Sequence, residues 1–189
     1  MKLNKKELID FLGGRVEKHI GMAVSLFQNL PEHELLRPSP AGGWSIAQCL
    51  DHLNSYGLYY LPRLQTVLES ARASDNLFFK SGWLGNYFTK MMEPSLKKYK
   101  AFKGHIPDKA LPAYAVVEEF IKQQEELLDL LRAFEARSLD RRIPISISDF
   151  IRLKTGDVFR FLIAHNERHV QQALRTIAKQ EIRGEKLTR

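Results

Sequence analysis

Two histidines in the last quarter of the chain have a spacing that can support chemistry. His165 and His169 stand four residues apart in the segment TGDVFRFLIAHNERHVQQALRTIAK. In a helix four residues make about one turn, so both imidazoles would project from the same side. Such a pair can aim two nitrogen atoms at one metal ion, as in zinc metalloproteases. It can equally be a pair of core histidines that hydrogen-bond to protein groups, and the spacing alone leaves both interpretations open.

The residue that follows the first histidine argues against protease chemistry. Zinc metalloproteases of the HExxH type place a glutamate there, and this glutamate activates water. Asn166 occupies that position in this chain. Asn166 and Glu167 are then either outer partners of a metal site or ordinary surface residues.

A long amphipathic helix over residues 155–179 is predicted to carry the pair. Thr155 and Asp157 suit the start of a helix, where short polar and acidic side chains meet free N–H groups. An apolar stripe recurs at helical spacing and should face the core; it consists of Phe159, Ile163, Val170, Leu174 and Ile177. The opposite side is expected to face solvent, and it carries Arg160, Glu167, Arg168, Gln171 and Arg175. The two histidines lie at the edge of the apolar stripe.

Hydrophobic spacing predicts three further long helices, over residues 5–30, 46–72 and 113–136. The second of them has a strong start signal, because Ser45 followed by Gln48 forms a capping box. Residues 73–112 form a long connector with a short amphipathic helix of its own, marked by Trp83, Leu84, Tyr87, Phe88, Met91 and Met92. The alternating Ile143, Ile145 and Ile147 indicate a strand-like loop rather than a sheet.

These elements predict an all-α fold, a four-helix bundle with a long crossover connector between helices 2 and 3. The 189 residues fit one domain, because two would be cramped. No run approaches the length of a membrane span, and the first residues turn polar too often for a signal peptide. A single cysteine, Cys49, excludes an internal disulfide and favours a reducing compartment, so we expect a cytoplasmic protein.

A formal net charge of +7 raises the question of nucleic-acid binding. The basic residues are spread along the chain instead of forming one stripe. The two densest groups lie in connecting segments: Lys97, Lys98, Lys100 and Lys103, then Arg137, Arg141, Arg142, Arg152 and Lys154. Solvated loop charge explains both groups, so nucleic-acid binding is the less favoured interpretation, and a membrane partner is not expected.

The second helix offers a third imidazole. Cys49, His52, Tyr56 and Tyr59 run along one side of it as a stripe of polar-tipped residues. A bundle would bring this stripe towards His165 and His169, and three imidazoles with an open fourth position suit zinc or another first-row divalent ion. Such an ion converts bound water or a thiol into a nucleophile near neutral pH. Cys49 fits a buried apolar residue better than a ligand.

Two motifs together resemble a known family. The segment GGWSIAQCLDHL, residues 42–53, followed much later by HNERHVQQ, residues 165–172, resembles the DinB-like superfamily of metalloenzymes. The shared pattern is a tryptophan–serine helix start leading to one histidine, then a late HxxxH followed three residues on by glutamine. It falls here on Trp44, Ser45, His52, His165, His169 and Gln172.

The resemblance implies a four-helix bundle that binds a divalent metal, most often nickel or zinc, through His52, His165 and His169, commonly as a dimer. Characterised members of the family include thiol-dependent S-transferases and maleylpyruvate isomerase, which use bacillithiol, mycothiol or glutathione. Arg168 departs from one common pattern, in which a further histidine precedes the last ligand. The catalytic residues stay unknown.

The resulting hypothesis is a metal-dependent enzyme acting on a small molecule, either a thiol-dependent S-transferase or a hydrolase. Tyr56, Tyr59 and Gln172 are the candidate substrate-binding residues. The alternative is a non-catalytic metal-binding module for stress or interaction. The aromatic residues of the connector helix exceed what one bundle edge needs, so they also suggest a homodimer.

Overall fold

The computed structural model describes residues 1–40, 42–95 and 99–187 of the protein, with side chains described as far as residue 177. Its helices are α1 (Lys5–Ser25), α2 (Glu32–Leu36), α3 (Ile46–Ser70), α4 (Trp83–Met92), α5 (Ala113–Ala133) and α6 (Thr155–Leu187). Its strands are β1 (Lys2–Asn4), β2 (Phe78–Lys80), β3 (Arg142–Ile145) and β4 (Ser148–Lys154). Two 3₁₀ turns span Phe27–Asn29 and Lys103–His105.

The four long helices form the predicted bundle, and the predicted fold class is confirmed. Helix α3 packs against both α5 and α6, while α1 packs mainly against α5. The crossover runs from the end of α3 to the start of α5 and contains α4, which lies along α6. The helix ends differ from the predicted ones: α1, α3 and α5 stop two to five residues early, whereas α6 continues to Leu187.

The start of α3 follows the sequence closely. The backbone N–H of Gln48 donates to Oγ of Ser45 at 3.1 Å, and the backbone N–H of Ser45 donates to Oε1 of Gln48 at 3.0 Å. This reciprocal pair satisfies two N–H groups that the first turn cannot bond internally. It fixes where α3 begins, and therefore which turn of the helix carries His52.

The segment around Ile143 is a β-hairpin, so the prediction of a strand-like loop without a sheet was wrong. Strands β3 and β4 pair antiparallel, with Ile143 opposite Leu153. Both side chains are buried. Burial of this hydrophobic face stabilises the two short strands, and the alternating sequence pattern alone did not reveal it. A second antiparallel pair, β1 with β2, joins the N-terminus to the connector and is too short to be seen in the sequence.

The face of α6 that was expected to face solvent is instead largely covered by other parts of the protein. Arg160 and Arg168 are both less than a tenth exposed. The Arg160 guanidinium donates to Oγ of Ser81 and to the Asp157 carboxylate, and Nη1 of Arg168 donates to the backbone carbonyl of Glu93. The connector and α4 lie on this face, so the guanidinium groups of Arg160 and Arg168 bond inside the protein, whereas Arg175 is exposed as expected.

The apolar core is divided into two clusters, and the three candidate histidines lie between them. On α3, Leu50 belongs to one cluster and Tyr60 to the other. On α6, Val158 and Val170 divide in the same way. In the part of the chain that the structure describes, no helix is long and apolar enough to cross a membrane.

Candidate metal site

His52, His165 and His169 meet where α3 and α6 face each other. One nitrogen atom from each ring lies within 4.8 Å of the other two. All three side chains are buried. The helix packing thus brings the early histidine of α3 to the HxxxH pair of α6, as the bundle prediction required.

The separation of two of the rings suits a shared metal ion. Nε2 of His52 and Nε2 of His165 are 3.2 Å apart. Two imidazole nitrogens bound tetrahedrally to zinc, at about 2.0–2.1 Å from the metal, would stand about 3.3 Å apart. The third nitrogen, from His169, lies within 4.8 Å of both, so the three donors fit one shared ion.

Hydrogen bonds orient two of the rings from behind. Nδ1 of His52 donates to the backbone carbonyl of His105 at 2.5 Å, and Nδ1 of His169 donates to Oε1 of Gln172 at 3.1 Å. Because Nδ1 carries the proton in both rings, Nε2 keeps its lone pair and can bind a metal. Outer partners of this kind are usual for metal-binding histidines.

The third ring is held by packing. His165 stacks on Phe161 with ring centroids 5.9 Å apart. Its Nδ1 is buried, and no described residue hydrogen-bonds to it. A polar atom withdrawn from water without a partner costs free energy. Nδ1 of the buried His19 lacks a described partner in the same way, so a histidine outside the site shares this feature.

Burial keeps the imidazoles neutral. It lowers the pKa of His52 to about 4 and that of His169 to about 3, and it holds the pKa of His165 well below its usual value. Mutual repulsion between the rings acts in the same direction on His165 and His169. Neutral imidazole is the form that binds metals.

Aromatic side chains enclose the three histidines. The Trp44 ring lies 4.8 Å from His52 and 5.7 Å from His169, measured between ring centroids. The Tyr56 ring lies 4.5 Å from His165 on the other side. Trp44, which the sequence offers only as part of the family motif, thus lies against two of the three histidines.

Comparison with models of protein families identifies the family of this chain. The family model of the DinB superfamily matches residues 15–173, a span that includes all three histidines. The chain belongs to the DinB superfamily. No curated protein matches it significantly in sequence.

A solved structure has a similar fold to this DinB-superfamily chain. It is YfiT from Bacillus subtilis, described as a probable metal-dependent hydrolase with an unusual four-helix bundle topology. The match has a TM-score of 0.54 and 14% sequence identity, and it covers 94% of this chain and 87% of YfiT. At this identity the likeness establishes the fold and not the activity.

The structure separates the three residues predicted to bind substrate in this DinB-superfamily protein. Tyr56 packs directly against the histidines, and Gln172 holds the back of His169. Tyr59 points elsewhere: its hydroxyl donates to the backbone carbonyl of Ile145, and Arg63 lies over its ring. Substrate binding by these residues stays a prediction.

Residues near the motif have structural partners. Nδ2 of Asn166 donates to Oε1 of Gln124, and Glu167 accepts a hydrogen bond from the fully buried His19. The His19 hydrogen bond is the main reason why the pKa of Glu167 is lowered to about 2. His33, by contrast, is exposed.

Cys49 lies in the apolar cluster one turn before His52 and does not join the histidines. Burial raises the pKa of its thiol to about 12. A protonated, enclosed thiol behaves as a small apolar side chain. The structure agrees with the interpretation of Cys49 as a buried residue.

Arg168, where this chain departs from the common family pattern, supports the connector. Its guanidinium donates to the backbone carbonyl of Glu93 and to Oγ of Ser95, and it lies 5.0 Å from the centre of the Tyr99 ring. The residue next to the ligand candidate His169 therefore anchors the segment that follows α4.

The two basic groups of the sequence have different surroundings in the described part of the chain. Lys97 and Lys98 lie outside the described residues, while Lys100 and Lys103 are exposed. In the second group several side chains hold the hairpin region in place. Arg137 donates to the backbone carbonyl of Ala71, for example.

His105 is the residue that sequence reasoning missed. It lies in the 3₁₀ turn of the connector, and its ring stacks on Tyr56 with centroids 3.9 Å apart. A single histidine in a segment rich in proline and lysine has no periodicity that would reveal its position. Only the path of the connector brings it to His52.

Proposed function

We propose that this protein is a divalent-metal-dependent enzyme that acts on small molecules and binds its metal through His52, His165 and His169. One observation carries the proposal. Three buried, neutral imidazoles converge, and the two with hydrogen-bonded Nδ1 atoms keep their Nε2 lone pairs free for a metal. If these positions served only to pack the core, we would expect apolar side chains there, because burying three imidazoles away from water costs free energy.

A divalent ion held by three neutral ligands supplies a Lewis acid that lowers the pKa of a protic molecule at its open position. The protein's own residues contribute orientation and enclosure. His105 and Gln172 fix the rings of His52 and His169, and the Trp44 and Tyr56 rings limit access of water. Zinc or nickel suits a ligand set made only of imidazoles.

Two reaction classes fit such a centre. Hydrolysis of a small-molecule substrate is supported by the similarity in fold to YfiT, which is described as a probable metal-dependent hydrolase. Thiol-dependent S-transfer is supported by positive charge: Arg168 and Arg175 lie close enough to lower the pKa of His169. Cationic neighbours favour a thiolate ion, so a low-molecular-weight thiol is a suitable co-substrate.

The first experiment measures metal content. Protein purified without a nickel column should contain zinc or nickel close to one ion per chain. His165→Ala should lose the metal, whereas His33→Ala, which removes an exposed histidine, should retain it. Wild-type protein that neither contains metal nor takes up zinc or nickel in titration would disprove the proposal.

The second experiment separates the two reactions and the non-catalytic alternative. Metal-loaded protein is assayed with activated esters, and separately with bacillithiol, mycothiol or glutathione plus an electrophile. Activity that disappears in His165→Ala identifies the reaction class. If metal binds in the wild type and neither assay shows metal-dependent turnover, a non-catalytic metal-binding module is the better description.

We further propose a reducing compartment, the cytoplasm, for this protein. Its single cysteine is a buried free thiol, and proteins of reducing compartments keep their cysteines in this form.

We also propose that the protein forms a homodimer, because two aromatic residues of α4, Trp83 and Tyr87, are exposed.

A further inference from the structure

The connector turn that carries His105 is fastened to α3 beside the candidate metal site. Nδ1 of His52 donates to the backbone carbonyl of His105 at 2.5 Å. The His105 side chain reaches back to the same helix, with its Nδ1 2.8 Å from Oγ of Ser55. Ser55 lies three residues after His52 and is itself bonded to the backbone carbonyl of His52 at 2.7 Å.

The direction of these hydrogen bonds follows from the number of protons. A serine hydroxyl has one hydrogen, and the backbone carbonyl of His52 can only accept it. Oγ of Ser55 must then accept from His105, so Nδ1 of His105 carries a proton. The three residues form a closed circuit, in which the His105 side chain holds its own carbonyl against the His52 ring.

Four neighbours of His105 in the turn are all exposed: Phe102, Lys103, Gly104 and Ile106. The chain is fastened to α3 again at Asp108, whose backbone carbonyl accepts from Nε2 of Gln48 at 3.2 Å. The His105 ring stacks on Tyr56 at 3.9 Å between centroids, and this contact adds to the two hydrogen bonds. Within the turn, the His105 side chain therefore supplies the contacts that hold the His105 carbonyl beside His52.

We infer that Ser55 and His105 are positioning residues of the metal centre, which act by holding the carbonyl that orients His52. This inference rests on the proposed function. A metal-binding histidine whose outer hydrogen bond is removed typically loses about 10- to 100-fold in metal affinity. The connector turn is thus part of the metal site, although it supplies no ligand.

Linkage makes the coupling reciprocal. If the turn strengthens metal binding by fixing His52, then metal binding must stabilise the turn by the same free energy. The amide hydrogens of residues 103–106 should therefore exchange more slowly in the zinc-bound protein than in the metal-free protein.

The test measures zinc affinity by competition with a chelating dye. Ser55→Ala and His105→Phe should each weaken zinc binding about 10- to 100-fold. The phenylalanine keeps a ring to stack on Tyr56 but has no donor for Ser55. Ser55→Thr keeps the hydroxyl and should restore affinity close to that of the wild type. Ser70→Ala is the matched control, because it removes a hydroxyl bonded to a carbonyl of the same helix far from the site.

The outcomes are distinguishable. Wild-type protein that binds neither zinc nor nickel would disprove the proposed function and this inference with it. Zinc binding by the wild type, with unchanged affinity in Ser55→Ala and His105→Phe, would overturn the inference alone. Should either variant fail to fold, hydrogen exchange on the wild type decides: equal exchange at residues 103–106 with and without zinc contradicts the coupling.

Discussion

Nε2 of His52 and Nε2 of His165 lie 3.2 Å apart, although 113 residues separate the two histidines in the chain. Nδ1 of His52 donates to the backbone carbonyl of His105, so Nε2 of the neutral His52 ring accepts the hydrogen bond from Nε2 of His165. When the His165 proton lies on Nδ1 instead, two lone pairs stand at the spacing that one metal ion needs.

Metal binding should add directly to folding stability. A metal held by α3 and α6 together binds the folded chain and not the unfolded one, so it stabilises by RT ln(1 + [L]/Kd), about 4 kcal/mol at a thousandfold excess over Kd. The melting temperature should fall on addition of EDTA at about pH 7.5, and it should still fall at about pH 5, because burial lowers the pKa of His52 to about 4 and that of His169 to about 3 and so keeps both imidazoles neutral in the folded protein.

His33→Ala should show the same response to EDTA as the wild type, because His33 is exposed and remote from the site. Identical melting curves with and without EDTA at the higher pH, in a sample with confirmed metal content, would argue against all three ligands.

Without metal, stability should still depend on pH. In the folded state burial lowers the pKa of His52 to about 4 and that of His169 to about 3. The unfolded chain, with histidines near their usual value of about 6.5, takes up protons first as pH falls. The free energy of unfolding should therefore be highest above about pH 6.5 and decline from there towards pH 4.

Urea unfolding in EDTA at several pH values measures this decline. The double variant His52→Phe/His169→Leu should have a flatter profile, because it removes two groups that the unfolded state protonates. A double variant whose stability falls as steeply as that of the wild type would show that other groups cause the decline.

Gly57 should be required by the contact between α3 and α5. A Cβ atom there would lie 1.8 Å from Oε1 of Gln123, whose amide donates to the backbone carbonyl of Asn54 and to Glu119. Gly57→Ala must displace this buried amide, so we expect a loss of about 1–3 kcal/mol in the free energy of unfolding.

Gly21→Ala is the matched control for urea unfolding, because nothing lies within 4 Å of its added Cβ. It should leave the protein as stable as the wild type or more stable by up to about 1 kcal/mol, the helix preference for alanine. Equal effects of the two substitutions would mean that α3 and α5 are less closely packed around Gln123 than the structure indicates.

The exposed aromatic residues of α4 predict self-association. Leu84 and Phe88 pack against the bundle, whereas Trp83 is 82% exposed and Tyr87 57% exposed. An apolar surface of this kind commonly marks an interface, and a two-fold dimer is the most frequent arrangement. Sedimentation at micromolar concentration should give a dimer, and Trp83→Ser/Tyr87→Ser should give a monomer. A monomeric wild type contradicts the prediction.

Local patterns in the sequence determined the helices and part of the site. Hydrophobic spacing located all four long helices, because a helix that buries one face must repeat its apolar residues at about 3.6 positions. The capping box at Ser45 located the start of α3, since its hydrogen bonds join residues three apart. The same short-range geometry placed His165 and His169 on one side of α6. Each of these features depends on distances that a few consecutive residues fix.

The tertiary structure decided what those elements meet. Asp157 suits the start of its own helix, yet it accepts the backbone N–H of Gly82, the residue just before α4. Arg160 is paired inside the protein because α4 covers it, and the carbonyl of His105 reaches His52 only through the path of the connector. Such contacts join residues far apart in the chain, and they result from the packing of whole helices, a sum of many weak contacts that no local pattern records. The sequence by itself therefore determined the candidate ligands, and the packing decided that their nitrogen atoms converge.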